Sequence, residues 1–153
     1  FFTCYCNTYR AHHSSPYLNL DFFLRIAASM PRNLLLNVAT REGLPIAAAL
    51  HVANSEAMYG RYWGTLREVK HLHFELCYYQ AIEYCISHGL DVYEAGAQGE
   101  HKIPRGFIPQ LTYSMHHIAD PQFILPIERF LAQEKRLIAE QFQEWEPHLP
   151  YLE

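Results

Sequence analysis

The fold class is set by residues 72–95, LHFELCYYQAIEYCISHGLDVYEA, where a helical pattern gives way to a strand pattern. Apolar residues recur every three or four positions from Leu72 to His88. They cover so much of the circumference that the helix should be largely buried against a sheet. Gly89 is a good helix C-cap, and the segment Asp91–Ala95 then predicts a short strand.

The segments before this helix predict the strands on which it packs. Two apolar runs, 34–40 and 44–53, flank the turn Arg41-Glu42-Gly43 and predict a hairpin. Residues 57–63 predict a third strand, which ends at Gly64. Strand, helix and strand between Tyr59 and Ala95 therefore form a βαβ unit, and its two strands should run parallel.

The remaining segments complete a single α/β domain over residues 1–153. Residues 1–20 carry turn formers and polar aromatic side chains, and a helix is expected from about Leu18 to Ser29. Residues 111–118 have strand character. A closing amphipathic helix should begin at Asp120-Pro121 and continue to Pro147. The pattern contains neither an internal repeat nor a linker.

Composition and charge narrow the class of protein. Of 153 residues, 50% are apolar and 18% are charged, which is typical of a packed domain and not of a disordered chain. The formal net charge of -4 argues against attraction of the whole domain to a phosphate backbone.

Four cysteines without a CxxC spacing predict reduced, mostly buried thiols in a cytoplasmic protein. No apolar run is long enough to span a bilayer, and a chain that begins at Phe1 suggests a fragment of a longer protein.

The richest polar segment is GAQGEHKIPRGFIP, residues 96–109, just beyond the last predicted strand of the βαβ unit. Ligand sites in α/β sheets are common at this position. Basic side chains there can neutralise negative charge, and a carboxylate or imidazole can accept a proton. The alternative is a solvated loop that only turns the chain. The candidate residues are Gln98, Glu100, His101, Lys102 and Arg105.

A second group of candidates lies between the third strand and the helix. Arg61 is on a strand rich in aromatic residues, where a guanidinium needs a carboxylate, a phosphate or an aromatic face, or else points to solvent. His71, His73 and Glu75 would share one face only in an extended chain. Because no HExxH or CxxC spacing accompanies them, a zinc site is disfavoured. At a helix start, the negative charge of Glu75 would interact favourably with the helix dipole, and this role needs no further function.

Three blocks of the sequence resemble a known bacterial family: YGRYWG (59–64), LHFELCYYQAIEYCISHGL (72–90) and EAGAQGEHKIPRGFIPQLTYSMH (94–116). The family is that of peptidoglycan biosynthesis/recognition proteins, or N-acyltransferases, a Fem-related branch of the GNAT superfamily. The resemblance covers nearly the whole chain. It implies a GNAT-like fold, with a mixed central sheet flanked by helices. Because chains of the family are longer, it also implies that this sequence is their C-terminal half.

The resemblance further implies an N-acyltransferase or aminoacyltransferase. In a GNAT-type domain two parallel strands splay, here 59–63 and 92–95, and their unpaired amides hold an acyl carbonyl that an amine attacks. The candidate bases are Glu75, His101 and Glu100. The residues expected to bind anionic groups of the donor are Arg61, Lys102, Arg105 and Gln98.

The donor expected from the resemblance is acyl-CoA or aminoacyl-tRNA, with no tightly bound cofactor and no metal. GNAT enzymes that use acetyl-CoA carry the motif Arg/Gln-x-x-Gly-x-Gly/Ala after the splayed strand. The corresponding residues 64–74 lack this motif, because Gly64 is their one glycine. Fem-type relatives use aminoacyl-tRNA, and Lys-x-x-Arg-Gly-Phe at 102–107 is similar to the Lys/Arg-rich end of their second domain. The partners expected are a small-molecule or peptide amine acceptor, a tRNA-linked donor, the N-terminal half and a second copy in a homodimer.

Two alternatives to this interpretation come from other functional classes. One is a degenerate, non-catalytic GNAT-like module that binds a cell-wall or peptide ligand. The other is a metal-dependent hydrolase that uses His71, His73, Glu75 and His101. A serine hydrolase is disfavoured, because the chain contains no GxSxG motif.

Overall fold

The structure, a computed structural model, describes residues 1–96 and 99–145. The chain divides into two compact units, 1–97 and 98–153. The prediction of a single domain stays a prediction. In chain order the elements are α1 (Phe2–Ala11), α2 (Leu20–Ser29), β1 (Leu34–Arg41), β2 (Leu44–Ala53), β3 (Ala57–Thr65), α3 (Leu72–Phe74), a π-helical segment (Glu75–Tyr79), α4 (Gln80–His88), β4 (Val92–Glu94) and α5 (Pro121–Trp145), with 3-10 helices at Pro31–Asn33 and Glu100–Arg105.

The first unit is built on a four-stranded mixed sheet in the order β1-β2-β3-β4. β2 pairs antiparallel with β1 and with β3, whereas β3 and β4 are parallel. The hairpin turn uses Glu42 and Gly43, both at positive φ, as a tight turn between twisted strands requires. The mixed sheet, the hairpin and the parallel pair are thus confirmed.

Helices cover both faces of the sheet, and the central strand β2 is buried from Ile46 to His51. On one face, Leu50 packs with Tyr5 of α1 and Phe23 of α2. On the other face, Ala47 and Ala49 pack against Leu76. A third cluster joins β3 to α4 through Met58, Ala81 and Cys85. Small side chains on β2 leave room for the helix that lies over them.

The first twenty residues are not the turn-rich segment that their composition predicts. Residues 2–11 form α1, which packs on β3 and buries Cys4 and Tyr5. Helix α1 approaches β3 so closely that a Cβ on Gly64 would lie 1.9 Å from the carbonyl oxygen of Cys4. Burial of an aromatic face on the sheet therefore stabilises a helix whose local sequence favours other structures.

The helix predicted from Leu72 to His88 is present, with a π-helical segment at Glu75–Tyr79. In that segment side chains of the sheet donate to backbone carbonyls: Asn37 Nδ2 to Leu76 O at 3.0 Å, and the Tyr93 hydroxyl to Cys77 O. A π segment shifts the helical hydrogen bonds, so donors from outside can satisfy the carbonyls that it redirects. Gly89, at φ 65°, caps the end of α4 as predicted.

The second unit contains a 3-10 helix and α5. The polar segment predicted as a loop includes the 3-10 helix Glu100–Arg105, and α5 spans Pro121–Trp145. The strand predicted at 111–118 is wrong, because these residues form no regular element. Tyr113 is 88% exposed and Met115 is 100% exposed, so their apolar side chains have no face to pack on. The last residues of the predicted closing helix, 146–147, lie outside the described residues.

Candidate active site

Strands β3 and β4 pair over three residues, and the pairing ends where β4 ends, at Glu94. The register runs from Ala57 opposite Val92 to Tyr59 opposite Glu94, after which β3 continues to Thr65 without β4 beside it. The register between β2 and β3 shifts at the same point: His51 pairs with Gly60, and Leu50 pairs with Tyr62. Arg61 is therefore the extra residue of a β-bulge. Bulges bend a strand and redirect its side chains, and they are frequent beside active sites.

Gly60 is the next residue of β3 after the pairing with β4 ends. A Cβ at this position would lie 3.0 Å from the Tyr93 hydroxyl and 3.7 Å from the Glu94 carbonyl oxygen. The missing side chain thus allows the Tyr93 hydroxyl and the end of β4 to lie close to the backbone of β3.

A pocket of about 400 Å³ opens in the first unit at this point. Six tyrosine or tryptophan rings line it, together with three histidines and one arginine, and no carboxylate belongs to the described residues that line it. The charge of this lining favours an anionic or neutral ligand over a cationic one. The lining residues are Tyr5, Thr8, Tyr9, His12, Ser14, Ala49, Leu50, His51, Gly60, Arg61, Tyr62, Trp63, His73, Cys77, Tyr78, Tyr93 and Ala95.

Tyrosine hydroxyls on one side of the pocket are linked to each other. Tyr17 and Tyr62 share a hydrogen bond of 2.9 Å, and the Arg61 guanidinium lies 5.8 Å from the centre of the Tyr62 ring. Burial, together with the bond to Tyr17, raises the pKa of Tyr62 to about 12. The Tyr62 phenol therefore stays protonated near neutral pH, with its hydroxyl hydrogen-bonded to that of Tyr17.

His51 belongs to the pocket wall and is buried in it. Its side chain is 1% exposed, its ring centre lies 5.9 Å from that of Tyr93, and its Nδ1 has no hydrogen-bond partner among the described residues. Burial lowers the pKa of His51, although hydrogen bonding to the backbone of Cys77 and Leu35 acts in the opposite direction. The imidazole is therefore neutral near pH 7. Sequence reasoning missed His51, and its only signal is a polar residue inside an apolar run.

His73 lies on the pocket wall at the start of the helix that follows β3. The side chain is half-buried, and its ring meets those of Trp63 and Tyr78 edge-on, with centres 5.1 and 5.4 Å apart. Both partners also line the pocket. From the sequence, His73 was a candidate only as a metal ligand. In the described part of the chain, no three His, Cys, Asp or Glu side chains come together as a metal site would require.

Two of the residues predicted from the sequence belong to the first unit, and the structure separates them. Arg61 lines the pocket on the bulge and is exposed. Glu75 is exposed, its carboxylate accepts a hydrogen bond from Gln80 Nε2 at 2.9 Å, and it is not among the lining residues. Only Arg61 of this pair is therefore placed to touch a ligand in the pocket.

The other predicted residues belong to the second unit, and their roles stay predictions. Arg105 Nη1 donates to the carbonyl oxygen of His101, and Lys102 is buried within the 3-10 helix that also includes Glu100. Burial and the positive charges of Lys102 and Arg105 lower the pKa of His101, which keeps its imidazole neutral. Gln98 lies outside the described residues.

The family model FemAB-like, described as peptidoglycan biosynthesis/recognition, matches residues 1–153. A search of curated proteins finds no match. Among the described residues, no helix is long and apolar enough to cross a membrane.

Proposed function

The chain belongs to the FemAB-like family of peptidoglycan biosynthesis/recognition, and we propose that it transfers an acyl or aminoacyl group to an amine of a peptidoglycan-related acceptor. The proposal takes the first unit as a GNAT-type domain whose reaction occurs in the pocket beside β3. It also takes the chain as the C-terminal part of the functional protein.

The observation that carries this proposal is the end of parallel pairing between β3 and β4 at a bulge, directly beside a pocket. Pairing ends at Tyr59 and Glu94, and the lining includes Gly60 and Ala95, the next residue of each strand. Backbone N-H groups released from a sheet can donate to an acyl carbonyl. They can then stabilise the negative charge that develops on its oxygen when an amine attacks.

The rest of the lining suits a substrate with an anionic group and a flat or apolar body. Arg61 is the one Lys or Arg side chain among the described lining residues, and a guanidinium can bind a carboxylate or phosphate in bidentate fashion. The faces of Tyr62, Trp63 and Tyr78 offer rigid surfaces for apolar groups or sugar rings. Peptidoglycan precursors combine these features.

We propose aminoacyl-tRNA rather than acyl-CoA as the donor. Residues 64–74 contain one glycine, Gly64. It lies inside β3 and provides space for α1. It is therefore not part of a loop whose amides could surround a pyrophosphate. A tRNA-linked donor would place the reaction in the cytoplasm, and residues of the longer chain would supply the tRNA contacts that a net charge of -4 does not favour.

The test uses the full-length protein with labelled aminoacyl-tRNA or acyl-CoA and a stem-peptide acceptor that has a free amine. We expect transfer of the label to the acceptor, and a KM for the acceptor raised about tenfold in Arg61→Gln, which corresponds to the loss of one charge-assisted contact. Arg32→Gln, on an exposed residue of a short 3-10 helix, is the matched control. Saturable binding of the acceptor without any transfer would instead support the non-catalytic module.

A further inference from the structure

The attacking amine must lose a proton, and we propose that His73 accepts it. This inference rests on the proposed function and names the catalytic base of the same pocket. In the reaction the amine nitrogen forms a bond to the acyl carbon, and the bond from that carbon to the leaving oxygen or sulfur breaks. The proton of the amine passes to an imidazole nitrogen of His73 and then to the leaving group.

The lining contains few groups that can accept a proton near neutral pH. No carboxylate is among the described lining residues. Burial raises the pKa of the Cys77 thiol to about 12 and also raises the pKa of the Tyr93 phenol, so both stay protonated. Only imidazoles are left, and the lining includes three of them: His12, His51 and His73.

The positions of these histidines favour His73. His51 is 1% exposed, so its ring offers almost no surface to an acceptor amine. His12 is an exposed residue at the end of α1, in a turn that also borders a second, shallow depression. His73 combines contact with the pocket and a fixed ring, because Trp63 and Tyr78 hold it edge-on at 5.1 and 5.4 Å.

Helix geometry explains why His73, and not Glu75, occupies this position. Residues two apart on a helix point about 200° apart, so only one of the two can face the pocket. The Glu75 side chain is on the exposed side with Gln80. A fixed imidazole on a rigid element has the orientation that general-base catalysis requires.

The first experiment compares His73→Gln with the wild-type full-length protein in the transfer assay. We expect kcat to fall about 100-fold or more with little change in the KM of the acceptor. The part of the acidic fall in kcat/KM that comes from the imidazole should also disappear, and the fall that comes from protonation of the acceptor amine should remain. His71→Asn is the matched control, since His71 is two residues away, lies outside the lining and has φ 66°, which asparagine tolerates.

The second experiment separates a base from a merely structural histidine. Hydroxylamine is less basic than an alkyl amine and is unprotonated at neutral pH, so it depends less on a base. With hydroxylamine as acceptor, His73→Gln should regain most of the wild-type rate, whereas a misfolded or misaligned pocket would be slow with both acceptors. Added imidazole should partly restore His73→Ala.

Other results of these experiments would overturn the assignment of the base, the proposed function, or both. A His73→Gln variant as active as the wild type overturns the assignment of the base and leaves the proposed function intact. The assignment of the base is also overturned if another substitution, and not His73→Gln, removes the acidic fall in kcat/KM that comes from the base. The substitutions to compare are Glu75→Gln, Glu100→Gln and His101→Gln. A wild-type protein that transfers no label with any donor overturns both the base and the proposed function.

Discussion

At the scale of single residues, Gly64 and His51 show how neighbours in space assign a role that the chain does not suggest. From the sequence, Gly64 ends a strand and is the one glycine of the segment where a phosphate-binding loop would lie. In the structure it is the contact between β3 and the backbone of α1. His51 interrupts an apolar strand and is buried without a partner for Nδ1 in the described chain.

Gly64→Ala should destabilise the protein by about 3 kcal/mol, because the new Cβ would lie 1.9 Å from Cys4 O and 2.3 Å from Cys4 C. Both atoms are backbone, so α1 must move as a whole. The free energy of unfolding in urea measures the loss. The control is Gly43→Asn, at a turn residue where a new Cβ would meet no atom within 4 Å and where asparagine accepts the positive φ. Equal effects of the two substitutions would contradict this role of Gly64.

Burial of His51 should make the protein less stable in acid. Since its pKa is lower in the folded state, the unfolded chain binds the proton first, and stability falls as the pH drops below about 6.5. The expected slope from this residue is at most about 1.4 kcal/mol per pH unit. Thermal or urea unfolding from pH 8 to pH 5 should show a shallower acid loss in His51→Leu than in the wild type. An unchanged slope would show that His51 does not titrate on unfolding.

At the scale of elements, the helix after β3 is the one that shapes the pocket. Its π segment redirects the carbonyls of Leu76 and Cys77, and donors from β1 and β4 satisfy them. The helix is thus joined to both edges of the sheet by side-chain hydrogen bonds as well as by apolar packing. The periodicity of the sequence predicts the helix, but the π segment depends on contacts with strands that are distant in the chain.

Removal of either donor should cost about 1 to 2 kcal/mol of unfolding free energy, because a partly buried carbonyl loses its partner. Tyr93→Phe and Asn37→Ala test the two sites separately. Asn19→Ala serves as a reference, because loss of the side-chain cap of α2 should lower the free energy of unfolding by about 1 kcal/mol. If the two substitutions cost nothing, water can replace the donors and the π segment does not depend on them.

At the scale of the whole molecule, the core lies in the first unit. The three buried clusters, the sheet and the pocket are all formed by residues 1–96. The second unit, in contrast, shows many exposed apolar side chains along α5, among them Phe123, Phe130 and Leu137. Stability should therefore reside mainly in the first unit.

A fragment of residues 1–96 should fold on its own, because it contains every strand of the sheet and both helical layers. We expect a cooperative urea transition and a far-UV circular dichroism spectrum of mixed α/β type. A fragment of residues 1–71 lacks the helix and β4 and should not unfold cooperatively, since Met58 and Ala47 would lose their cover. A non-cooperative transition of the longer fragment would show that residues after 96 complete the core.

The sequence alone determined the elements whose signals are local. The hairpin at 34–53, the helix at 72–88 with its Gly89 cap, and α5 follow from periodicity and turn residues, which act within a few positions of the chain. The family was also recognisable from sequence blocks, and the match over residues 1–153 confirms it. Of the pocket, the sequence indicated Arg61 because a guanidinium on an aromatic strand requires an explanation.

Only the tertiary structure decided the features that depend on distant contacts. Helix α1 is stable because its aromatic face is buried on the sheet, whereas the segment 111–118, whose side chains are mostly exposed, pairs with no strand of the described residues. Three features arise where three strands and a helix meet: the bulge at Arg61, the end of pairing between β3 and β4, and the pocket wall of His51 and His73. Local sequence sets which conformations are favourable, but packing between distant segments selects among them.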